Sequence, residues 1–244
     1  MQPKPLIEVE NFRKVYRGHV AVENLSFSVQ ASQVVGLVGH NGAGKTTTLR
    51  SLSGIIPATS GDLSVCGLHI QNESIEAKRN IAFVPDDPRL FDALTVEEHL
   101  KWIASAYDMK DWKEDAERWL NRFSLLEKKD ALGSELSRGM RQKVAICCAY
   151  IRKPKVIFFD EPLTGLDPPG IRTFKETVLE LAELGCAMMI SSHLLTMVQD
   201  LCTHLLIMDE GKKLFFGALK EAYEQYDVHE AGSLENLFFN ATES

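Results

Sequence analysis

Three glycines, a lysine and a threonine stand at the spacing of a loop that binds phosphate groups. Residues 39–46 read Gly-His-Asn-Gly-Ala-Gly-Lys-Thr, which fits the pattern G-x-x-x-x-G-K-[ST]. Glycine allows backbone angles that other residues avoid, so main-chain N–H groups can approach phosphate oxygens closely. The loop follows the apolar run Val34–Val38 and precedes a helix-compatible stretch, which is the context that the motif requires. ATP or GTP is therefore the default ligand.

The residues of this loop also predict how the phosphates are held. Lys45 is placed to reach the β- and γ-phosphates, and the hydroxyl of Thr46 is placed to bind Mg²⁺. The helix that begins here adds the partial positive charge of its free N–H groups. The predicted nucleotide contacts in this loop are Gly39, His40, Asn41, Gly42, Ala43, Gly44, Lys45, Thr46 and Thr47.

Two acidic residues predict the second half of a hydrolytic site. Asp160 and Glu161 directly follow the apolar run 156–159, which is typical of a strand buried on both faces of a parallel sheet. Ligands bind at the carboxyl ends of such strands, so the pair is expected beside the phosphate loop. Asp160 would reach the metal ion through a water, and Glu161 would orient or deprotonate the attacking water.

The elements that must position these residues alternate between strands and helices, which predicts an α/β P-loop NTPase core with a parallel-strand sheet. Short alternating runs before the loop predict an N-terminal antiparallel β lobe. The predicted strands are 6–9, 14–16, 25–29, 34–38, 63–65, 81–84, 156–159, 187–191 and 205–208, and a hairpin leads to 214–216. Helices are predicted at 140–152, at about 169–184 and from Leu194.

Residues 95–152 have helical periodicity, and they open with a sequence that resembles a capping box. We expect an inserted α-helical subdomain whose three tryptophans pack inside it. The chain then forms a single domain, 1–244. Its β lobe and core cover 1–94 and 153–216, the helical subdomain covers 95–152, and a loosely packed C-terminal tail covers 217–244.

Composition narrows the class of protein. The 244 residues carry a net charge of −7, which argues against nucleic acid as a partner because phosphate backbones select basic faces. No apolar run is long enough to span a bilayer, and no signal-peptide core follows the first residues, so we expect a soluble, cytoplasmic chain. The five cysteines have no paired short spacing and are expected to be reduced packing residues.

Three further motifs give the chain a resemblance to a known family. Residues 136–140 read Leu-Ser-Arg-Gly-Met, 164–167 read Thr-Gly-Leu-Asp, and 191–193 read Ser-Ser-His. With the phosphate loop and residues 156–161, their order and spacing resemble the nucleotide-binding subunit of an ATP-binding cassette (ABC) transporter over nearly the whole chain. The compact tail and residues 136–140, the signature segment, make it most similar to bacterial export-type (ABC-2 type) proteins.

The resemblance implies that two subunits associate head to tail, with each ATP held between one phosphate loop and the signature segment of the other subunit. Ser137, Gly139 and Met140 would then contact the nucleotide of the second subunit. Because Ser137 also precedes a predicted helix, it can serve as a helix cap, a nucleotide contact or both. Asp167 would lie in a loop that crosses the interface.

The remaining implied roles lie within one subunit. Tyr16 would stack on adenine, with Val22 packed nearby. His193 would contact the γ-phosphate and would form the catalytic group together with Glu161 and Lys45.

Three positions depart from the family pattern. Arg138 and Met140 replace a Gly and a Gln of the usual Leu-Ser-Gly-Gly-Gln signature. Asp86 stands where a Gln or Glu usually contacts the metal ion. Its side chain is shorter than that of Glu, so a water-mediated contact with Mg²⁺ is the preferred interpretation. Thr46, Asp86 and Asp160 are thus the predicted metal-binding residues.

The leading hypothesis is an ATP-hydrolysing subunit that uses ATP and Mg²⁺. It would drive transport, with export favoured, through separate integral membrane subunits on the inner face of the cell membrane. Its partner subunit would be a second copy or a paralogue. One alternative is a soluble ABC ATPase acting on ribosomes or DNA, although such proteins generally carry two cassettes, coiled-coil insertions or zinc modules. Another is a regulatory subunit without turnover, which the presence of Lys45, Asp160, Glu161 and His193 disfavours.

Overall fold

The computed structural model describes residues 4–228 and 234–243. Within these residues the strands are β1 Ile7–Tyr16, β2 His19–Val29, β3 Val34–Val38, β4 Ser60–Val65, β5 Leu68–His69, β6 Ile81–Val84, β7 Val156–Asp160, β8 Ala187–Ser191, β9 His204–Asp209 and β10 Lys212–Ala218. The helices are α1 Lys45–Leu52, α2 Ser74–Arg79, α3 Val96–Ala106, α4 Trp112–Arg122, α5 Arg138–Tyr150, α6 Pro168–Glu183, α7 Leu195–Leu201, α8 Leu219–Gln225 and α9 Leu234–Glu243. None of the described helices has the length and apolarity needed to cross a bilayer.

Two sheets organise the chain. The smaller has the strand order β2-β1-β4-β5 and is antiparallel throughout. The larger has the order β10-β9-β3-β8-β7-β6; its strands pair in parallel from β9 to β6, and β10 is antiparallel to β9. The rings of Phe27 and Phe216, one from each sheet, pack with centroids 5.2 Å apart. The predicted fold class, with a parallel-strand core and an antiparallel lobe, is confirmed.

The central strands are apolar on both faces because each face covers a different hydrophobic core. Along β7, Ile157 and Phe159 join the core that α5 and α6 cover. Val156 and Phe158 point the other way, toward α1 and the antiparallel sheet. Every residue of β3, β7 and β8 is buried, as continuous apolar runs predict for strands sandwiched between layers.

The N-terminal lobe differs from the prediction in its strands: β2 begins at His19 instead of Leu25, β5 was not predicted, and two predicted strands are one. The runs 6–9 and 14–16 belong to one strand, β1, whose pairing with β2 shifts register between Val9 and Val15. Asn11 lies inside this strand with φ of 50°, in the left-handed region. Such bulges bend a strand without ending it, which explains why the sequence pattern breaks while the strand continues.

Helices α3, α4 and α5 lie between β6 and β7, and α3 opens with the predicted capping box. The Thr95 hydroxyl accepts a hydrogen bond from the Glu98 amide at 3.2 Å, and the Glu98 carboxylate accepts one from the Thr95 amide at 2.8 Å. Trp119 is buried against Tyr150, with ring centroids 4.9 Å apart, so the expectation of a packed tryptophan is confirmed there. It is wrong for Trp102, which is 52% exposed.

The expectation of a loosely packed C-terminal tail is wrong for the residues that the structure describes. Leu234, Leu237 and Ala241, spaced as one helical face, are buried in the main hydrophobic core. The neighbouring Phe238 meets the ring of His40 edge-on, with centroids 4.9 Å apart. Helix α9 is therefore part of the folded core and touches the phosphate loop. Residues 229–233 and Ser244 of the predicted tail lie outside the described residues.

We expect Leu237→Ala to lower the free energy of unfolding by about 2–5 kcal/mol, because it deletes buried methyl groups and leaves a cavity. Urea denaturation followed by circular dichroism measures this change. Phe239→Ala on the same helix is the matched control: its ring is 58% exposed, and its loss should change stability by no more than about 0.5 kcal/mol. If Leu237→Ala and wild type unfold at the same midpoint urea concentration, the packed position of α9 is contradicted.

Candidate active site

The phosphate loop connects β3 to α1, and two of its glycines, Gly42 and Gly44, have backbone conformations that other residues adopt only under strain. Gly44 caps α1 with φ of 99°, and a Cβ there would lie 2.7 Å from the carbonyl oxygen of Ala21. Gly42 has φ of 88°, and a Cβ there would meet nothing within 4 Å. Gly44 is thus required by the close approach of β2, while Gly42 leaves open space over the loop.

Lys45 is folded back over this loop. Its Nζ donates hydrogen bonds to the carbonyl oxygens of Gly39 at 2.6 Å and His40 at 3.1 Å. Burial lowers the pKa of Lys45, and the nearby carboxylates of Glu161 and Asp160 act in the opposite direction. The ammonium is therefore already held at the loop by groups that a phosphate oxygen can replace.

Asp160 links the phosphate loop to the neighbouring strands. Its Oδ1 accepts a hydrogen bond from the Thr46 hydroxyl at 3.0 Å and another from the buried Ser191 hydroxyl at 2.8 Å. The parallel pairing of β7 with β8 brings Asp160 beside Ser191. The sheet thus places the predicted carboxylate against the predicted hydroxyl, although 114 residues separate them in the chain.

The chemistry of these two groups fits a magnesium ion. Mg²⁺ is a hard cation that keeps several waters and is usually bound through one or two carboxylates and the phosphates of the substrate. Because Thr46 Oγ1 and Asp160 Oδ1 lie within hydrogen-bond distance, both oxygens can face one ion beside the phosphate loop. A bound ion there would neutralise negative charge on the phosphates.

Glu161 is held in place by its backbone and its carboxylate. Its φ of 49° lies in the left-handed region, and its amide donates to the carbonyl oxygen and the hydroxyl of Ser191 at 3.2 and 3.0 Å. Its Oε2 lies 2.7 Å from Nδ1 of His193, and the His193 amide donates to the same oxygen at 3.3 Å. The predicted catalytic base and a histidine in the loop after β8 are thereby aligned.

These residues surround a cavity of about 340 Å³. It is lined by Tyr16, His19, Ala21, Asn41, Gly42, Gly44, Lys45, Thr46, Thr47, Asp160 and Glu161. The sequence analysis missed His19 and Ala21. The β1–β2 hairpin pairs Tyr16 with His19, so the Arg17-Gly18 turn between them was the signal that could have found both.

Five residues predicted to contact the nucleotide of the same subunit do not line this cavity: Val22, Gly39, His40, Ala43 and His193. Val22 is fully buried, and its Cγ2 would lie 3.0 Å from a Cβ on Gly44, so it supports the loop from below. Gly39 and His40 contribute their carbonyl oxygens to Lys45. Ala43 is buried and lines an adjacent cavity together with His19, Asn41 and Gly42.

The signature segment lies outside the cavity. The Ser137 hydroxyl accepts a hydrogen bond from the Met140 amide at 3.3 Å and so caps α5. Gly139 packs so closely that a Cβ would lie 2.3 Å from the carbonyl oxygen of Gly165. On the same side, Lys143 binds Asp167 at 2.7 Å and lowers its pKa. The predicted cap role of Ser137 is confirmed.

Asp86, the third predicted metal-binding residue, contacts Arg138. It does not line the cavity, and its Oδ1 instead accepts a hydrogen bond from Nη2 of Arg138 at 3.1 Å. Two of the three residues that depart from the family pattern therefore contact each other.

Comparison with known proteins agrees with this geometry. Residues 22–164 match the family model described as ABC transporter. The chain belongs to the ABC transporter family. It is 31% identical to the ABC-type transporter ATP-binding protein EcsA of Bacillus subtilis, over 97% of this chain and 96% of that protein. It is 35% identical to the SkfA peptide export ATP-binding protein SkfE of the same organism, over 85% and 87%.

Solved structures of ABC proteins have the same fold. An ATP-binding subunit of an ABC transporter superposes with a TM-score of 0.93 at 30% identity, over 97% of this chain and 99% of that chain. A nucleotide-free ATP-binding cassette superposes with a TM-score of 0.77 at 27% identity, over 91% and 94%. This ABC protein is therefore an ATP-binding transporter subunit whose ATP hydrolysis is coupled to transport.

Proposed function

We propose that this ABC subunit hydrolyses ATP with Mg²⁺ in a head-to-tail dimer and drives export through separate membrane subunits. The observation that carries the proposal is that Lys45, Thr46, Asp160 and Glu161 line one cavity. Asp160 is bonded to Thr46 and Glu161 contacts His193, while the signature segment does not line the cavity. An export role is supported by export proteins among the relatives, including the Nod factor export ATP-binding protein I of Cupriavidus metallidurans, 36% identical.

Different residues of the cavity bind the phosphates, the base, the metal ion and the attacking water. The glycine-rich loop and Lys45 bind the phosphates, and Tyr16, which is half-exposed at the cavity edge, offers an aromatic face to the base. Thr46 and Asp160 hold the metal ion. Glu161 orients the attacking water and accepts its proton, and His193 fixes the carboxylate of Glu161 through the 2.7 Å contact.

A second subunit is needed to cover the γ-phosphate. Ser137 is exposed at the N-terminus of α5, where unpaired amides favour an anion. It is absent from the cavity of its own chain. The nucleotide site is therefore completed by Ser137 and Gly139 of the opposing subunit, and Met140 contributes from the same turn.

Mixing two inactive variants tests this arrangement. Ser137→Asp keeps a good helix cap but places a carboxylate where a phosphate should bind, and Lys45→Ala disables the phosphate loop. Each variant alone should be inactive, whereas a mixed dimer has one site with an intact loop and an intact signature segment. After equimolar mixing, we expect roughly a quarter of the wild-type rate of phosphate release, because half the dimers are mixed and each has one working site.

The control is the Ser137→Asp, Lys45→Ala double variant mixed with either single variant, since neither combination creates an intact site. Thermal melts of Ser137→Asp and wild type test whether the variant is folded. A mixture that stays as inactive as its components would refute the shared site.

The membrane partner is expected in an apolar groove of about 230 Å³. The groove is lined chiefly by Phe83, Pro85, Leu90, Phe91, Trp102 and Ile103. The rings of Phe91 and Trp102 are each about half exposed and stack edge-on at 5.5 Å. Solvated aromatic rings beside a groove are typical of protein-binding surfaces, and this one lies between β6 and the helices α3 and α5, away from the nucleotide.

We expect Trp102→Ala to abolish co-purification with the membrane subunits while leaving the ATPase activity of the isolated chain unchanged. The loss of a central aromatic contact typically weakens an interface by about 2 kcal/mol or more. Affinity purification from detergent-solubilised membranes, with the co-purified membrane protein identified, measures the association. Leu184→Ala, at an even more exposed apolar side chain outside the groove, should keep it. Equal recovery with both variants would exclude the groove as the docking site.

A further inference from the structure

An ion pair joins two of the three positions at which this chain departs from the family pattern. Arg138 Nη2 and Asp86 Oδ1 lie 3.1 Å apart, and both side chains are about half exposed. Arg138 is the first residue of α5. A cation at a helix N-terminus is unfavourable beside the partial positive charge of the free amides, and the first turn of α5 carries no acidic residue. Asp86 supplies the missing negative charge from another segment.

A second contact runs parallel to this pair. Gln142, one turn further along α5, donates from Nε2 to the carbonyl oxygen of Pro85 at 3.3 Å. Residues 138 and 142 lie on the same helix face, because residues four apart are neighbours on a helix. Two consecutive residues of the loop after β6 are thus tied to two consecutive turns of α5.

The other side of the α5 N-terminus is also restrained. The Arg138 side-chain carbons lie 3.4 Å from the position of a Cβ on Gly165, and Gly139 is in close contact with the Gly165 carbonyl oxygen. The turn that carries Ser137 is therefore held between the loop at residues 85–86 and the loop around Gly165. Pro85 also lines the apolar groove, so the first of these loops borders both the groove and α5.

We propose that Asp86 is a positioning residue for the signature segment: its carboxylate holds Arg138 and thereby sets the position of Ser137 relative to the apolar groove. This role rests on the proposed function of Ser137 at the nucleotide of the second subunit. A partner that enters the groove and displaces residues 85–86 would shift the N-terminal turn of α5 through the same pair. Asp86 acts on this turn and does not bind the metal ion.

Hydrogen exchange of the nucleotide-free chain in EDTA tests the link without reference to activity. Asp86→Ala should accelerate exchange of the Met140 and Arg141 amides, which bond to Ser137, by about three- to fivefold. Arg138→Ala should likewise accelerate exchange of the Phe91 amide, which bonds to His99. The effect of each substitution is thus measured on the other segment, the one that does not carry the substitution.

The charge-swapped variant Asp86→Arg, Arg138→Asp should restore protection at both segments. The matched control is the pair Arg13 and Glu23, which lie 3.8 Å apart with similar exposure; Arg13→Ala and Glu23→Ala should leave all of these amides unchanged. Wild-type exchange at Met140 and Arg141 in Asp86→Ala would overturn the proposal, whether or not the chain hydrolyses ATP.

Steady-state ATPase assays separate positioning from metal binding. Asp86→Ala and Arg138→Ala should each lower kcat by about three- to fivefold with KM for ATP unchanged, and the double alanine variant should be no slower than either single one. If Asp86→Ala raises the Mg²⁺ concentration required for half-maximal activity and Arg138→Ala does not, Asp86 binds the metal and the proposal is wrong.

Discussion

Glu161→Gln is expected to retain ATP binding, to accumulate a closed ATP-bound dimer and to lose nearly all turnover. The amide is isosteric with the carboxylate, so the left-handed backbone at this residue and a hydrogen bond to His193 can both persist. The amide is not basic, however, and cannot accept the proton of the attacking water. Removing a positioned general base typically slows a reaction by about 10²–10⁴-fold.

Two measurements follow from this prediction. Phosphate release gives the turnover, and gel filtration with ATP and Mg²⁺ gives the fraction of dimer. The matched control is Glu210→Gln, since Glu210 also has a left-handed backbone, with φ of 44°, but lies in the β9–β10 turn. That variant should hydrolyse ATP at the wild-type rate. If Glu161→Gln stays monomeric and hydrolyses ATP as fast as wild type, Glu161 is not a catalytic residue.

Lys45→Ala should bind ATP about 10- to 100-fold more weakly, because a charged hydrogen bond contributes roughly 1.5–3 kcal/mol and each 1.4 kcal/mol is a factor of ten. The physical reason is that Lys45 Nζ already lies on the phosphate loop, held by two carbonyl oxygens. No other lysine or arginine lines the described cavity, so no second cation there replaces it.

Isothermal titration calorimetry with ATP in EDTA measures the affinity before any hydrolysis. Lys175→Ala is a suitable control, since Lys175 binds Asp200 on α7 and does not line the cavity. Its affinity should equal that of wild type. An unchanged affinity in Lys45→Ala would refute the role of this lysine in phosphate binding.

The phosphate loop and the acidic pair could be predicted because the information for each lies in a few consecutive residues. Glycines at 42 and 44 indicate the left-handed backbone that the loop adopts, and the apolar run before Asp160 indicates that a buried strand ends there. The parallel core was predictable for the same reason, since a strand buried on both faces must be apolar throughout.

Features that depend on pairing between distant segments could not be predicted in this way. Whether β1 continues past Asn11 is decided by its partners in the sheet, since a bulge interrupts the residue pattern but not the strand. Leu234, Leu237 and Ala241 lie on one face of helix α9, but this face is part of the core only because the rest of the domain packs against it. The side-chain spacing alone is equally compatible with a solvated helix.

Asp86 illustrates the same limit at a functional position. In the sequence it is a carboxylate near the expected metal site, and its distance from Arg138 along the chain gives no sign of contact. Tertiary structure decides its partner, because the end of β6 and the start of α5 meet beside the apolar groove. A charged side chain pairs with the opposite charge that the fold brings within reach.

The sequence by itself determined the ligand class, the alternation of strands and helices along the chain in the core, and the chemical groups available for hydrolysis. These are properties of local residue types and spacing. Only the tertiary structure decided which groups meet. The packing of β7 and β8 against the phosphate loop and α1 brings Asp160 to Thr46 and Glu161 to His193, whereas Ser137 does not line the nucleotide cavity of its own chain. Contacts of this kind depend on the relative positions of whole elements, which residue spacing does not specify.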